Sequence, residues 1–192
     1  IDPNDSSRIW VGTGENVAGR HVGIGHGIYL SKDSGSTWDD MGLNKSEHIS
    51  KIIVHPDNSN IIWVASQGPL WNSGGDRGLF MSTDGGNTWS NKLYVNEWTG
   101  VTDIIIDPTN PDILYAATWQ RHRNVASLID GGPGTSIYKS IDGGNTWNEI
   151  DSGLPSSNMG KIGLAISPMK PEVIYAAIEL DRRSGAVFRS DN

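Results

Sequence analysis

One phrase of eight residues occurs three times in this chain and constrains its fold more than any other feature: Ser31-Lys32-Asp33-Ser34-Gly35-Ser36-Thr37-Trp38, Ser82-Thr83-Asp84-Gly85-Gly86-Asn87-Thr88-Trp89 and Ser140-Ile141-Asp142-Gly143-Gly144-Asn145-Thr146-Trp147. A pattern S-x-D-x-G-x-T-W recurring at this length marks a repeat protein. A fourth copy opens at Ser190-Asp191-Asn192, so the sequence reads as a piece of a longer array. Each phrase follows an alternating, strand-like run such as Gly78-Leu79-Phe80-Met81-Ser82. Asp-Gly-Gly-Asn between two strands is a hairpin turn, in which Gly supplies positive φ and Asp accepts from backbone amides ahead of it. The Thr hydroxyl answers the Asp carboxylate, and the Trp carries a large apolar body to the next sheet. Asp33, Thr37, Trp38, Asp84, Thr88, Trp89, Asp142, Thr146 and Trp147 are therefore expected to be structural.

A second phrase recurs out of step with the first. It runs from Ile1-Asp2-Pro3 to Ile9-Trp10-Val11, from Val54-His55-Pro56 to Ile62-Trp63-Val64, from Ile106-Asp107-Pro108 to Leu114-Tyr115-Ala116, and from Ile166-Ser167-Pro168 to Ile174-Tyr175-Ala176. Proline cannot donate to a ladder and marks the end of each first strand. Every period thus predicts four antiparallel strands: an inner apolar one, a second with Ile-Trp/Tyr, a third leading into the Asp turn and a fourth after the Trp. Four-stranded units repeated in this way are the blades of an all-β propeller. About three and a half blades are expected, over residues 1–49, 50–101, 102–160 and an incomplete 161–192.

The S-x-D-x-G-x-T-W phrases resemble the Asp-box, or BNR repeat, of β-propeller proteins, a class that includes sialidases, xyloglucanase-like glycosidases, sortilin-type receptors and photosystem assembly factors. Together with the second phrase, the chain is most similar to bacterial exported sortilin-like, BNR-repeat "glycosyl hydrolase-like" proteins. The resemblance covers essentially the whole sequence and implies an extracytoplasmic location. It specifies a scaffold that hosts unrelated activities.

Composition narrows the function classes. A net charge of −7 and a pI near 5.1 argue against a general nucleic-acid binder. No run is long enough to span a bilayer as a helix. The absence of cysteine removes disulfides and thiolate chemistry from this segment. No spacing of His, Asp or Glu matches a metal site, and no glycine-rich segment has the form of a phosphate loop, so neither metal nor cofactor is expected.

The interval between second and third strands varies most among the repeats (Pro3 to Asp33, Pro56 to Asp84, Pro108 to Asp142). Variable loops on a fixed scaffold are where function concentrates. Antiparallel geometry puts these 2–3 loops and the 4–1 connections at one end of the propeller and every Asp turn at the other. Six of the eight arginines fall in the 2–3 loops, Arg20, Arg77, Arg121, Arg123, Arg182 and Arg183, with His21, His26 and His122. Arginine without lysine suits bidentate recognition of anions or stacking on aromatics. Glu15, Asp76, Asp130, Glu179 and Asp181 share those loops, which offers ion pairs between adjacent loops as the alternative. Three tryptophans break the repeat on the same face, Trp71 and Trp119 in 2–3 loops and Trp98 in a 4–1 loop, either to stack on a ligand or to plug gaps between blades.

The reading these residues favour is a non-catalytic extracytoplasmic platform that holds a protein, peptide or glycan on the loop face through Trp71, Trp98, Trp119, Arg20, Arg77, Arg121, Arg123 and His122. The alternatives are a glycoside hydrolase, with Glu15, Asp130, Glu179 and Asp181 as its candidate carboxylates, and a structural subunit packed against further blades of the same protein or against a partner chain. Against the hydrolase stands the missing Arg-Ile-Pro motif of sialidases.

Overall fold

The computed structural model describes residues 1–181 and 184–191; Arg182, Arg183 and the Asn192 of the fourth phrase lie outside the described residues. The chain is all-β and forms four consecutive antiparallel sheets, as the blades of a partial propeller. The first sheet holds β1 (Ile9–Gly12), β2 (Ile28–Ser31) and β3 (Asp39–Asp40). The second holds β4 (Ile49–His55), β5 (Asn58–Gln67), β6 (Arg77–Ser82) and β7 (Ser90–Leu93). The third holds β8 (Thr99–Ile106), β9 (Leu114–Arg123), β10 (Leu128–Asp130), β11 (Ile137–Ser140) and β12 (Asn148–Ile150). The fourth holds β13 (Ile162–Ser167), β14 (Lys170–Glu179) and β15 (Gly185–Ser190). No described helix is long and apolar enough to cross a membrane.

The core lies between sheets. Trp10, Ile28 and Leu30 of the first sheet meet Ile49, Ile62 and Val64 of the second. Trp63, Leu79 and Met81 meet Ile104, Leu114 and Ala116 of the third, whose Tyr115 and Ile137 meet Ile162, Leu164 and Ile174 of the fourth. A sheet with one apolar face must bury it on another element, and here each neighbour does so in turn.

The Asp turns are nearly identical. In all three, the first carboxylate oxygen accepts from the Ser hydroxyl (2.8, 2.7 and 2.8 Å) and from the Thr amide (2.8, 2.9 and 2.9 Å). The second oxygen accepts from the Thr hydroxyl at 2.7, 2.6 and 2.6 Å. These donors favour the charged form and hold Asp33, Asp84 and Asp142 down to about 2.

The turns also lock adjacent sheets together. The Trp89 indole donates to Met41 O of the preceding sheet at 2.8 Å, with its ring edge-on to Trp10 at 6.4 Å. Trp63 donates to Gly143 O of the following turn at 3.1 Å. Gly86 and Gly144 have φ of 90° and 84°, and a Cβ on either would stand 2.5 or 2.6 Å from the Trp10 or Trp63 ring system. Glycine is required there for backbone conformation and for clearance alike. Trp38 and Tyr175, which have no described sheet against them, remain 42% and 40% exposed.

Trp63→Ala should cost about 3–5 kcal/mol in denaturant unfolding, since it empties a buried site and releases the third Asp turn. The Asp turns give a pH signature. A carboxylate with a lowered folded pKa contributes stability that is complete above its unfolded value of 3.8 and disappears as pH falls through about 2. Asp84→Ala should therefore melt below the parent at neutral pH, with the gap closing as the pH approaches about 2.

Candidate functional site

The Asp turns sit beside the first-to-second-strand turns, with Gly85 N donating to Asn60 O and Gly143 N to Asp112 O (both 3.0 Å). The remaining loops converge at the opposite end: Gly74 N donates to Glu97 O, Arg121 N to Trp98 O and Arg123 N to Leu70 O. Onto this end the loop between β1 and β2 extends from the first sheet as far as the third and fourth.

The residues that the sequence places in a ligand-binding loop are held differently. β9 continues to Arg123 because β10 pairs with its far end, Leu128 opposite Arg123 and Asp130 opposite Arg121. The Asn124 side chain closes that hairpin by accepting from Ala126 N and Ser127 N at 2.8 Å. Arg121, His122 and Arg123 are consequently strand residues, Trp119 is one through its pairing with Gly100 of β8, and Arg77 opens β6. Arg77 and Arg121 are buried and their guanidinium groups are spent on backbone. Arg77 donates to Gln67 O (2.6 Å), Asn72 O (2.8 Å), Gly74 O (2.9 Å), Trp98 O (3.5 Å) and Pro69 O. Arg121 donates to Val17 O (2.6 Å) and Gly68 O (3.3 Å). Neither is offered to a ligand. The alternative of ion pairs between loops also gives way: among the described residues Arg20, Arg77, Arg121 and Arg123 make none, and Asp76 accepts from Lys45 N instead. The reason is backbone accounting. Irregular loops packed on each other strand carbonyl groups away from water, and the five-donor guanidinium fork satisfies several at once.

The other members are more open. Arg20 is exposed and donates to Val125 O at 3.2 Å. Trp71 is half-buried, and half-buried Trp98 packs on His122 with ring centroids 4.0 Å apart and planes tilted by 38°. Trp119 is 3% exposed, beneath Arg121 Cζ at 5.1 Å and Lys161 Nζ at 5.3 Å from its ring centre, so it has no face for a ligand.

The structure does bring together three of the four candidate carboxylates. Asp130 at the end of β10, Glu179 at the end of β14 and Asp181 just beyond line one open cavity of about 470 Å³, with Ser157, Asn158 and Gly160. Glu15 stands apart, accepting from Gly23 N of its own loop at 2.8 Å. Burial, reinforced by the Glu179 charge, pushes the Asp130 carboxyl above the usual carboxylate range against the opposing pull of Arg121. Asp130 Oδ1 and the Trp119 indole nitrogen are buried without a partner in good hydrogen-bonding geometry, although the indole lies close enough to favour the charged form slightly. Among the described residues no group of three His, Asp or Glu side chains is arranged to hold a metal ion. A second opening, about 490 Å³, lies at the Asp-turn end between the third and fourth sheets and is lined largely by their apolar side chains, including Tyr115, Leu164 and Phe188.

Two participants had escaped the sequence reading. Counted back from the proline of its repeat, Lys161 stands where Ile49 and Val101 stand in the preceding repeats, a cation in an apolar column that is the available signal; in the ladder Ile162 takes that place and Lys161 lies just before β13. His48 is buried beside Arg121 and Arg77, and burial with those charges pushes it down to about 4.

A partial β-propeller with an acidic cavity at its loop end is thus the class that fold and site define. The sequence profile of the Sortilin-Vps10 family (sortilin, neurotensin receptor 3) matches residues 26–161, and the chain belongs to that family. It is similar to the oligoxyloglucan-reducing end-specific xyloglucanase of Emericella nidulans, 24% identical over 165 residues, covering 78% of this chain and 17% of the relative. It is similar also to the xyloglucanase Xgh74A of Acetivibrio thermocellus, 27% identical over 169 residues, covering 78% and 19%. The chain therefore spans less than a fifth of the length of these relatives. Among solved structures, the GH74 xyloglucanase from Xanthomonas campestris superposes over all of this chain and 28% of its own length, with a TM-score of 0.71 at 17% identity. The Niastella koreensis GH74 enzyme gives 0.71 at 18% identity, over all of this chain and 27% of its own. The expectation of a non-catalytic platform is overturned in favour of the glycoside-hydrolase alternative, because the relatives it matches in sequence are xyloglucanases.

Arg121→Ala should destabilise the fold by about 1–3 kcal/mol, as buried carbonyls lose their donors. Chemical denaturation measures this; a ligand-contacting role would instead leave stability unchanged.

Proposed function

We propose that this chain contributes part of the catalytic propeller of a glycoside hydrolase acting on a β-glucan of the xyloglucan kind, in which Asp130 is the proton donor and Glu179 its partner carboxylate. The observation that carries the reading is the setting of Asp130, half-buried beside a second carboxylate in an open cavity. Glycoside hydrolysis needs two carboxyl groups across the scissile bond, one protonated near working pH and one ionised. Raising a carboxyl by burial and by a neighbouring negative charge is how such an acid is kept protonated. Asp130 would give its proton to the departing glycosidic oxygen as the C–O bond breaks. Glu179 would take a proton from the water that attacks the sugar carbon, leaving two free sugar ends; the proton then returns from Glu179 to Asp130 through solvent, which resets the pair. Trp98 and His122, packed together at the same end, suit the face of a sugar ring.

The bacterial exported Asp-box designation and an extracytoplasmic location belong to this reading, supported by the recurrent S-x-D-x-G-x-T-W turns and by a polysaccharide substrate. In the full-length protein, Asp130→Asn should lower sugar release from xyloglucan oligosaccharides by about 10²–10⁴-fold with an unchanged melting temperature. A folded full-length protein that releases no sugar from xyloglucan or other β-glucans would overturn the proposal.

A further inference from the structure

The loop from Asn16 to Ala18 presents three successive backbone carbonyls to three cations from other sheets. Asn16 O accepts from Lys161 Nζ at 2.5 Å, Val17 O from Arg121 Nη1 at 2.6 Å, and Ala18 O from Arg123 Nε and Nη2 at 3.2 and 3.1 Å. The segment is anchored further by Asn16 Oδ1, which accepts from Gln67 Nε2 and from Thr102 Oγ1, and by Arg20 donating back to Val125 O. Side chains of the second, third and fourth sheets therefore hold a strap that belongs to the first.

The same three cations lie close to the carboxylates of the acidic cavity without lining it. Arg121 pairs directly across from Asp130 in the β9–β10 ladder, and Arg123 lies two residues along on the same face. Lys161 N donates to Glu179 Oε2 at 3.4 Å, so its side chain starts beside that carboxylate. Around Asp130, the described charged groups are Arg121 and Arg123 on β9, Lys161 leading into β13, Glu179 ending β14 and Asp181 after it. A cation in reach of both a carbonyl and a carboxylate prefers the carboxylate, since a bond between two ionised groups is the stronger. Yet none of the three cations is within ion-pair distance of a described carboxylate here.

We propose that the strap of residues 16–18 gates the acidic cavity: seated, it engages Arg121, Arg123 and Lys161 and leaves Asp130 able to carry a proton; released, it frees those cations to pair with Asp130 and Glu179 and silences the acid. The proposal rests on the reading of Asp130 as proton donor, and substrate entry beside the strap then couples to acid strength. An opposite charge arriving within about 4–6 Å lowers a carboxyl by about 1–3 pH units.

The test is the titration of Asp130 followed by nuclear magnetic resonance in the full chain carrying aspartate labelled at its carboxyl carbon, with Asp130→Asn identifying the signal. Two strap variants are compared with the parent: one lacking residues 16–19, and a milder one carrying Val17→Gly, Ala18→Gly and Arg20→Ala, which keeps the loop length. In either, the midpoint should fall by about 1–3 pH units, and adding Lys161→Met or Arg123→Gln should recover part of the fall. An unchanged midpoint in a strap variant that still melts cooperatively overturns the gate. A shifted midpoint in a protein that hydrolyses no glycan upholds the coupling and removes the catalytic reading, so the two failures are separable.

Discussion

Each sheet of this chain has an apolar face that it cannot cover alone, and the contact that covers it is a bulky ring at a sheet junction. Trp10 and Trp63, from the second strands of their sheets, lie against the Asp turns of the sheets that follow, over glycines that admit no side chain. The indole hydrogen bonds, Trp89 to Met41 and Trp63 to Gly143, fix the approach as well as the distance. The carboxylate of each turn stabilises the turn and, through it, the junction. This division of labour explains why a turn at the surface keeps its form across three repeats whose other loops differ in length.

Once the junctions are fixed at one end, the other end is left with loops of unequal length that must pack on one another. Their backbone groups have no ladder to join, and arginine supplies the missing donors. Arg77 alone serves five carbonyls, and Arg121, Arg123 and Lys161 serve the strap. Burying cations on neutral carbonyls is costly in desolvation; burial draws Arg121 down to about 9, which still leaves it charged at neutral pH. The consequence for chemistry is indirect. Cations committed to carbonyls are not neutralising carboxylates, which is why Asp130 can sit half-buried beside Glu179 with its proton affinity raised.

The fold was legible because its signals are local. Strand alternation, the prolines that close each first strand (Pro3, Pro56, Pro108 and Pro168) and the Asp turns each act within a few residues, and their repetition exposes the period. The site was legible only in part. Asp130, Glu179 and Asp181 could be assigned to one end of the propeller, yet nothing local tells that they share a cavity while Glu15 folds back on Gly23. The cations were misread for a definite reason: sequence shows that Arg77 and Arg121 lie at the loop end, but whether a guanidinium meets a ligand, a carboxylate or a carbonyl depends on which backbone groups packing leaves unsatisfied. The extension of β9 through Arg121–Arg123 is hidden in the sequence because its partner there, β10, is three residues long and carries little strand signal of its own, while Trp119 joins the ladder through Gly100 of β8, a glycine that gives no strand signal either.

Electrostatics and backbone satisfaction therefore act as one constraint at the loop end. If the cations paired with the carboxylates, the carbonyls of residues 16–18 would lose their charged donors and the strap would have little to seat it. If the carbonyls keep the cations, two acidic groups face each other across a cavity with limited compensation, a repulsion most easily relieved by a proton on the more buried one. Asp130 is that group, raised first by burial and second by Glu179. One protonated and one ionised carboxyl group is the starting condition for the acid–base work proposed above, and the raised proton affinity of Asp130 is compatible with it because a loop of one sheet holds the neighbouring cations on its carbonyls.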